Sequence, residues 1–297
     1  MEKNVPAKWF HYAELHFIVL LYGFTAILGK LISLPSNELV IYRMGTAALV
    51  LGAMLLIGKK WERLQWSTVA KMSAIGFIVA LHWILFFEAV KVSNVSVTLG
   101  AMASSPLFVS ILEPIFEKKK IKPLDVFLGL LVIVGLYLIT RFALHYWLGI
   151  VYGILSALLA ALFTVLNRQF TQKYDALQIS FYEMLSGFCL VGLYLFLGNQ
   201  AVTAFDSWAK YDVLWLLILA VFCTAYAFAG TVRLLRSLSA YTVTLSVNLE
   251  PVYGIVLAFF IFGESEKMTT GFYVGALLLI LVVFAYPILD EKLQAEA

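Results

Sequence analysis

Ten long apolar stretches constrain this 297-residue chain more than any other feature of its sequence. A helix needs about 20 apolar residues to cross the hydrocarbon core of a membrane. With 62% hydrophobic and only 13% charged residues, the composition also excludes an ordinary soluble domain. The sequence therefore predicts an all-α integral membrane protein with ten transmembrane helices, approximately at positions 12–32, 37–58, 68–90, 95–116, 124–141, 147–168, 177–198, 212–236, 240–262 and 268–289.

The placement of lysine and arginine predicts how these helices are oriented. If the N-terminus is inside, the segments on that side hold thirteen basic residues and those on the other side hold four. Basic residues accumulate in cytoplasmic loops. Because the number of spans is even, we expect a multi-pass protein of the cytoplasmic (plasma) membrane with both termini in the cytoplasm.

Similar sequence motifs recur at a spacing of about half the chain. The triplet V-T-L occurs at residues 97–99 and at 243–245, and Pro106 and Pro251 follow the two copies. These matches predict a duplication, with halves at residues 1–145 and 146–297. Five helices in each half is an odd number, so the second half enters the membrane inverted, as in many secondary transporters. A duplication with a purely structural role is the alternative.

Two longer runs carry a family resemblance. N-L-E-P-V-Y-G-I-V-L-A-F-F-I-F-G-E at residues 248–264 and S-P-L-F-V-S-I-L-E-P at 105–114 resemble the EamA family of the drug/metabolite transporter superfamily. The likeness extends over essentially the whole chain, although the first half has Phe116-Glu117 and then lysines where the second has Gly263-Glu264. The resemblance implies a secondary active transporter, often an exporter, of amino acids or other small metabolites.

An acid deep in the ninth predicted helix is the strongest candidate for a substrate or ion site. Glu250 lies about ten residues into the helix, and Pro251 follows it. Proline lacks the N–H group of a helix interior, so we expect a helix break beside the carboxyl group. Ser105-Pro106 is the equivalent pair of the first half, and paired broken helices indicate a transporter site. Glu250 could exchange a proton or bind a substrate amine, or it could be a structural acid.

Other polar and aromatic residues within the predicted spans complete the candidate site. His82 could relay a proton near neutral pH, or simply be satisfied by a neighbouring hydroxyl group. Arg43 and Glu183 occupy matching positions of the two halves, where they could gate opposite entrances, bind a charged group or anchor an interface. The remaining candidates for contact with substrate are Trp83, Asn248, Tyr22 and Tyr226.

The sequence also limits cofactors and alternative functions. The four histidines and two cysteines, Cys189 and Cys223, have no metal-ligand spacing, so we expect neither a metal nor another cofactor. The expected partners are a small-molecule substrate, protons or another coupling ion, and membrane lipid, with no nucleic acid; the chain is a monomer or a homodimer. An intramembrane enzyme acting on a lipid or isoprenoid is the main alternative, and a channel is another.

Overall fold

In a computed structural model of the protein, which describes residues 8–140, 144–199, 202–263 and 270–295, the chain folds into helices without a β-strand in those ranges. The α-helices are α1 (Lys8–Leu31), α2 (Ser36–Ile57), α3 (Trp66–Val92), α4 (Val95–Met102), α5 (Ser105–Glu117), α6 (Pro123–Thr140), α7 (Trp147–Thr171), α8 (Ala176–Leu197), α9 (Asp212–Ala220), α10 (Ala227–Leu234), α11 (Ala240–Val247), α12 (Glu250–Phe262) and α13 (Thr270–Ala295). A π-helix, Val221–Tyr226, joins α9 to α10.

Eight of the described segments are long and apolar enough to cross a membrane. Three of these spans are composite, since α4 continues into α5, α9 into α10 through the π-helix, and α11 into α12. The helices α6 and α13 contain shorter apolar stretches, at Pro123–Gly135 and Tyr273–Val282. The prediction of an all-helical, multi-pass membrane protein is therefore confirmed.

Large apolar side chains point away from the protein along the spans. Ile57, Trp66, Phe196 and Phe260 are each more than three-quarters exposed, at 84%, 86%, 78% and 79%. Exposed apolar surface of this extent is rare on soluble monomers and marks contact with a partner or a membrane. In a multi-pass membrane protein, lipid tails are suited to cover side chains of this kind.

Helices from the first part of the chain pack mainly on helices from the second part. The helix α3 lies along α7 and α8, α2 lies along α8, α6 along α13, and α1 along α12. Glycines permit the closest approaches. A methyl group on Gly153 would lie 2.5 Å from the Ala101 side chain, and one on Gly149 would lie 2.5 Å from the Ser93 hydroxyl. Small residues of this kind let helix backbones approach closely within a membrane.

Charged residues near the two ends of the bundle have polar partners. At one end Glu113 accepts hydrogen bonds of 2.8 Å from the backbone N–H groups of Ala240 and Tyr241, which begin α11. At the opposite end Asp212 accepts a 3.0 Å bond from the backbone N–H of Ser33 and a 2.5 Å bond from its hydroxyl. These pairings compensate for the cost of charge close to a bilayer core.

Candidate functional site

Two composite spans are interrupted at corresponding places. Two residues separate α4 from α5, and two separate α11 from α12; we call these the first and second helix breaks. Pro106 and Pro251 are the second residues of α5 and α12, at the start of a helix, where the missing N–H is tolerated. The side-chain amide of Asn248 donates a 3.2 Å hydrogen bond to the carbonyl of Ala103, 145 positions earlier. The two helix breaks are therefore in direct contact.

The residue before each proline makes different contacts at the two breaks. The hydroxyl of Ser105 donates a 2.8 Å bond to the Met102 carbonyl, which cannot accept one from the Pro106 backbone. At the second break this position is held by Glu250, which is 7% exposed. None of the residues that the structure describes donates a hydrogen bond to its carboxyl group. Within the described ranges, the second break thus leaves a buried carboxyl group without a hydrogen-bond donor.

A cavity of about 100 Å³ lies beside the two breaks, and we call it the central cavity. That volume holds several water molecules, at roughly 10–15 Å³ of such space for each. Its wall combines aromatic rings with hydroxyl, amide and charged groups. Seven residues singled out from the sequence contribute to it, namely Tyr22, Arg43, His82, Trp83, Ser105, Asn248 and Glu250, together with Thr25, Phe86, Phe163, Thr164, Phe228, Thr231 and Thr244.

The guanidinium group of Arg43 is the cation of the central cavity. It stacks on Trp83, with its central carbon 3.8 Å from the ring centroid. Its Nε atom donates a 2.6 Å bond to the hydroxyl of Thr224, and a terminal nitrogen donates a 3.3 Å bond to the Cys223 carbonyl. The other terminal nitrogen has no partner among the described residues. Arg43 is close enough to Glu250 for the two charges to interact.

His82 has partners on α7. Its Nδ1 atom lies 2.8 Å from both the carbonyl and the hydroxyl of Ser156, and the Ser156 hydroxyl donates a 2.9 Å bond back to the His82 carbonyl. The Phe163 ring meets the imidazole edge-on, with centroids 5.3 Å apart. The imidazole is thus fixed between α3 and α7 beside the central cavity, and a neighbouring hydroxyl does satisfy it.

Tyr22 joins the cavity wall to α10. Its hydroxyl lies 2.8 Å from that of Thr231 and donates a 3.3 Å bond to the carbonyl of Ala227. The Thr231 hydroxyl itself donates to the same carbonyl at 2.9 Å. This pair of hydroxyl groups fixes α1 against α10 and presents polar atoms to the cavity.

Two of the candidate residues lie elsewhere. Tyr226 is 45% exposed and lines a separate cavity of about 460 Å³ together with Arg233 and Arg236. Glu183 is fully buried between helices, where it accepts a hydrogen bond of 3.2 Å from Asn167. Neither side chain reaches the central cavity, so the structure separates them from the other candidates.

The π-helix is the feature of the site that sequence reasoning missed. It supplies both Thr224 and Cys223 to Arg43, and the Thr224 hydroxyl donates a 2.8 Å bond to the carbonyl of Leu219. π-Helical turns are often found at functional sites. No proline or glycine within residues 221–226 signals the widened turn. The one available indication was that an arginine buried in the membrane needs hydrogen-bond acceptors, so a polar group had to lie opposite Arg43.

Comparisons with known proteins agree with this architecture. The EamA-like transporter family matches residues 15–141 and again residues 147–286. The uncharacterised transporter YxxF of Bacillus subtilis is 25% identical over 252 residues, covering 80% of this chain and 78% of that protein. An uncharacterised transporter of Archaeoglobus fulgidus is 25% identical over 222 residues, or 74% of this chain and 76% of that protein.

A solved structure shares the fold. The crystal structure of a protein with 16% sequence identity superposes with a TM-score of 0.73, covering 93% of this chain and 96% of the other. At this identity the likeness speaks for the fold alone. The family match, which extends over most of the sequence in two consecutive segments, confirms the resemblance read from the motifs: the chain belongs to the EamA-like transporter family.

Proposed function

We propose that this protein is a secondary active transporter that moves a small metabolite, an amino acid or similar compound, across the cytoplasmic membrane. It works by alternating access, as an exporter coupled to a gradient of protons or another ion. The observation that carries the proposal is the central cavity, where two helix breaks in contact present an unpartnered Glu250 carboxyl group. Broken helices that meet near the middle of a membrane are a recurring design of transporter binding sites.

The charges in the cavity favour a substrate that carries both an amine and an acid. Glu250 can accept hydrogen bonds from an ammonium group, and the unpartnered nitrogen of Arg43 can donate one to a carboxylate. Trp83, Phe163 and Phe228 form apolar walls suited to a side chain. Few polar groups set among apolar walls are typical of sites for small molecules.

The coupling ion enters the proposal through Glu250. Although Arg43 lines the same cavity, no described residue donates a hydrogen bond to this buried carboxyl group, and such a group is held more easily when it binds a proton or a cationic ligand. If a proton and the substrate compete for the Glu250 carboxyl group, the movement of protons across the membrane is coupled to the movement of substrate. In this proposal Ser105, Asn248, His82, Trp83 and Tyr22 contact the substrate. Arg43 binds the substrate carboxylate and thereby also controls access.

Symmetry between the halves supports alternating access. The breaks are equivalent in position, α2 packs on α8, and α6 packs on α13, so corresponding helices of residues 1–145 and 146–297 are neighbours. We propose ten membrane crossings in two inverted five-helix repeats. Reporter tags at residue 205 and at the C-terminus are expected on opposite sides of the membrane, with the C-terminus in the cytoplasm. Tags reporting the same side would refute this topology.

Reconstitution tests the function. Candidate metabolites are first screened by thermal shift on purified protein, since a ligand that binds the folded state raises its stability. Each hit is then tested in proteoliposomes with an imposed proton or sodium gradient. We expect saturable flux that collapses with the gradient. Flux that does not saturate would indicate a channel, and a chemical product in place of flux would indicate an intramembrane enzyme.

A further inference from the structure

A second buried acid lies outside the central cavity, where three helices meet. Glu183, on α8, is 0% exposed, and so is Asn167, on α7. The third helix is α3. A methyl group added to its Gly76 would lie 2.4 Å from the backbone carbonyl of Glu183 and 2.1 Å from the Ser186 hydroxyl. The backbone of α8 at Glu183 is therefore packed tightly on a helix of the first half, while the buried carboxyl group contacts Asn167 of α7.

The hydrogen bonds of this pair are incomplete. Asn167 Nδ2 donates to Glu183 Oε2 at 3.2 Å. The two remaining oxygens, Glu183 Oε1 and Asn167 Oδ1, are both buried and have no partner among the described residues. An ionised carboxylate oxygen and an amide oxygen can only accept hydrogen bonds. The hydrogen-bonded pair of Glu183 and Asn167 therefore has two acceptor oxygens, and neither receives a hydrogen bond from a described residue.

Among the residues that the structure describes, no charged side chain of the neighbouring helices is paired with Glu183. Within the described ranges, Arg43 of α2 turns to Trp83 and Thr224, Lys71 of α3 is exposed, and Arg168 of α7 pairs with Glu113 and Glu117. Arg233, on α10, pairs with Glu14, and His82 of α3 pairs with Ser156. A carboxylate buried without a counter-ion or further hydrogen bonds costs several kcal/mol.

We propose that Glu183 and Asn167 form a proton-binding site, in which a proton on Glu183 Oε1 is donated to Asn167 Oδ1. This proton supplies the donor that both orphan oxygens lack. Together with the bond from Nδ2 to Oε2, it closes a paired contact between acid and amide, and it removes the buried charge. A metal ion would need several ligands, whereas no group of three or more histidine, cysteine, aspartate or glutamate side chains among the described residues could hold one.

The proton also bears on how the helices are held together. Deprotonation would leave a charge among α3, α7 and α8, so the contact is expected to weaken as the pH rises. The site is independent of the central cavity and does not rest on the proposed transport function. It makes the contact between the halves responsive to pH at a place that substrate does not touch.

Infrared spectroscopy on the purified protein tests the proposal. Glu183→Gln keeps the shape and both hydrogen bonds, because the glutamine amide donates to Asn167 Oδ1 in place of the proton. At neutral pH, the difference spectrum between wild type and Glu183→Gln is expected to show the loss of a protonated carboxyl C=O band. The control is Glu117→Gln, which should lose carboxylate bands instead, since Glu117 is paired with Arg168 and Lys119.

Two outcomes would overturn the proposal. One is that Glu183→Gln loses carboxylate bands, which means that the group is ionised. The other is that the wild-type bands assigned to Glu183 shift when sodium replaces a large organic cation, which means that a metal ion occupies the site. Thermal unfolding adds a second measurement. The stability of the wild type should decrease from mildly acidic to alkaline pH, and the stability of Glu183→Gln should decrease much less over the same range. Neither measurement needs a substrate, so failure of the transport proposal leaves this test intact.

Discussion

The two helix breaks have the same length and the same proline, yet they differ in the residue before it. At the first break Ser105 returns a hydrogen bond to the carbonyl that Pro106 leaves without a backbone donor. At the second break Glu250 places a buried carboxyl group against the cavity, and none of the described residues donates a hydrogen bond to it. The first break is satisfied within the chain, whereas the second, in our proposal, is completed by a bound proton or substrate. Function is therefore expected to depend far more on the second break than on the first.

The largest effect is expected at the second break. Glu250→Gln keeps the size of the side chain and removes its charge and its exchangeable proton. We expect gradient-driven transport to fall to the background of empty liposomes, while the protein stays folded and inserted. The measurement is uptake in proteoliposomes, with Glu88→Gln as a control because Glu88 is bonded to Ser36 at the bundle end. Transport by Glu250→Gln at the normal rate and with unchanged pH dependence would make Glu250 a structural acid.

An intermediate effect is expected where the π-helix holds the cation of the cavity. Thr224→Val removes the hydroxyl group that accepts the 2.6 Å bond from Arg43. A hydrogen bond to a charged group contributes about 1.5–3 kcal/mol, so thermal stability in detergent should fall clearly. Thr68→Val is the matched control, since Thr68 is bonded to the neutral hydroxyl of Tyr174. Equal losses in the two variants would show that the bond from Arg43 to the Thr224 hydroxyl contributes no more than a neutral hydrogen bond.

The smallest effect is expected at the first break. Ser105→Ala leaves the Met102 carbonyl without the donor that replaces Pro106, at a cost of about 0.5–1.5 kcal/mol. Ser110 makes the same 2.8 Å bond to the carbonyl three residues earlier, but that carbonyl can still accept from the α5 backbone. Melting temperatures should therefore rank wild type, Ser110→Ala and Ser105→Ala in falling order. Ser105→Ala should still transport substrate. Complete loss of transport in this variant would contradict the expectation that transport depends far more on the second break than on the first.

Much of this architecture follows from local rules that act along the sequence. The length of the apolar runs indicated the spans, and Pro106 and Pro251 indicated where two of them would be interrupted. The placement of Arg43 was less accessible, because gating and anchoring at an interface were equally consistent with its position in a helix. Its rotation toward the cavity depends on Trp83 and on the π-helix, which come from distant parts of the chain.

The positions of Tyr226 and Glu183, which lie outside the central cavity, were likewise not predictable from the sequence. Each lies in an apolar helix with a polar group available, as Tyr22 and Glu250 do, but helix rotation directs them away from the cavity. Rotation is set by packing, such as that of α3 on α8 at Gly76, between segments more than 100 positions apart. Periodicity within one helix does not contain that information.

Alternating access requires the cavity between the breaks to open in turn to each side of the membrane. Thr244 lines this cavity and is 7% exposed, so Thr244→Cys introduces a thiol of similar size there. Exposed Cys189 is replaced by serine, and buried Cys223 is kept. A membrane-impermeant thiol reagent applied to oriented vesicles is predicted to label Thr244→Cys from either side, and a transported substrate should slow the labelling. Labelling from one side only, with or without substrate, would contradict alternating access through this cavity.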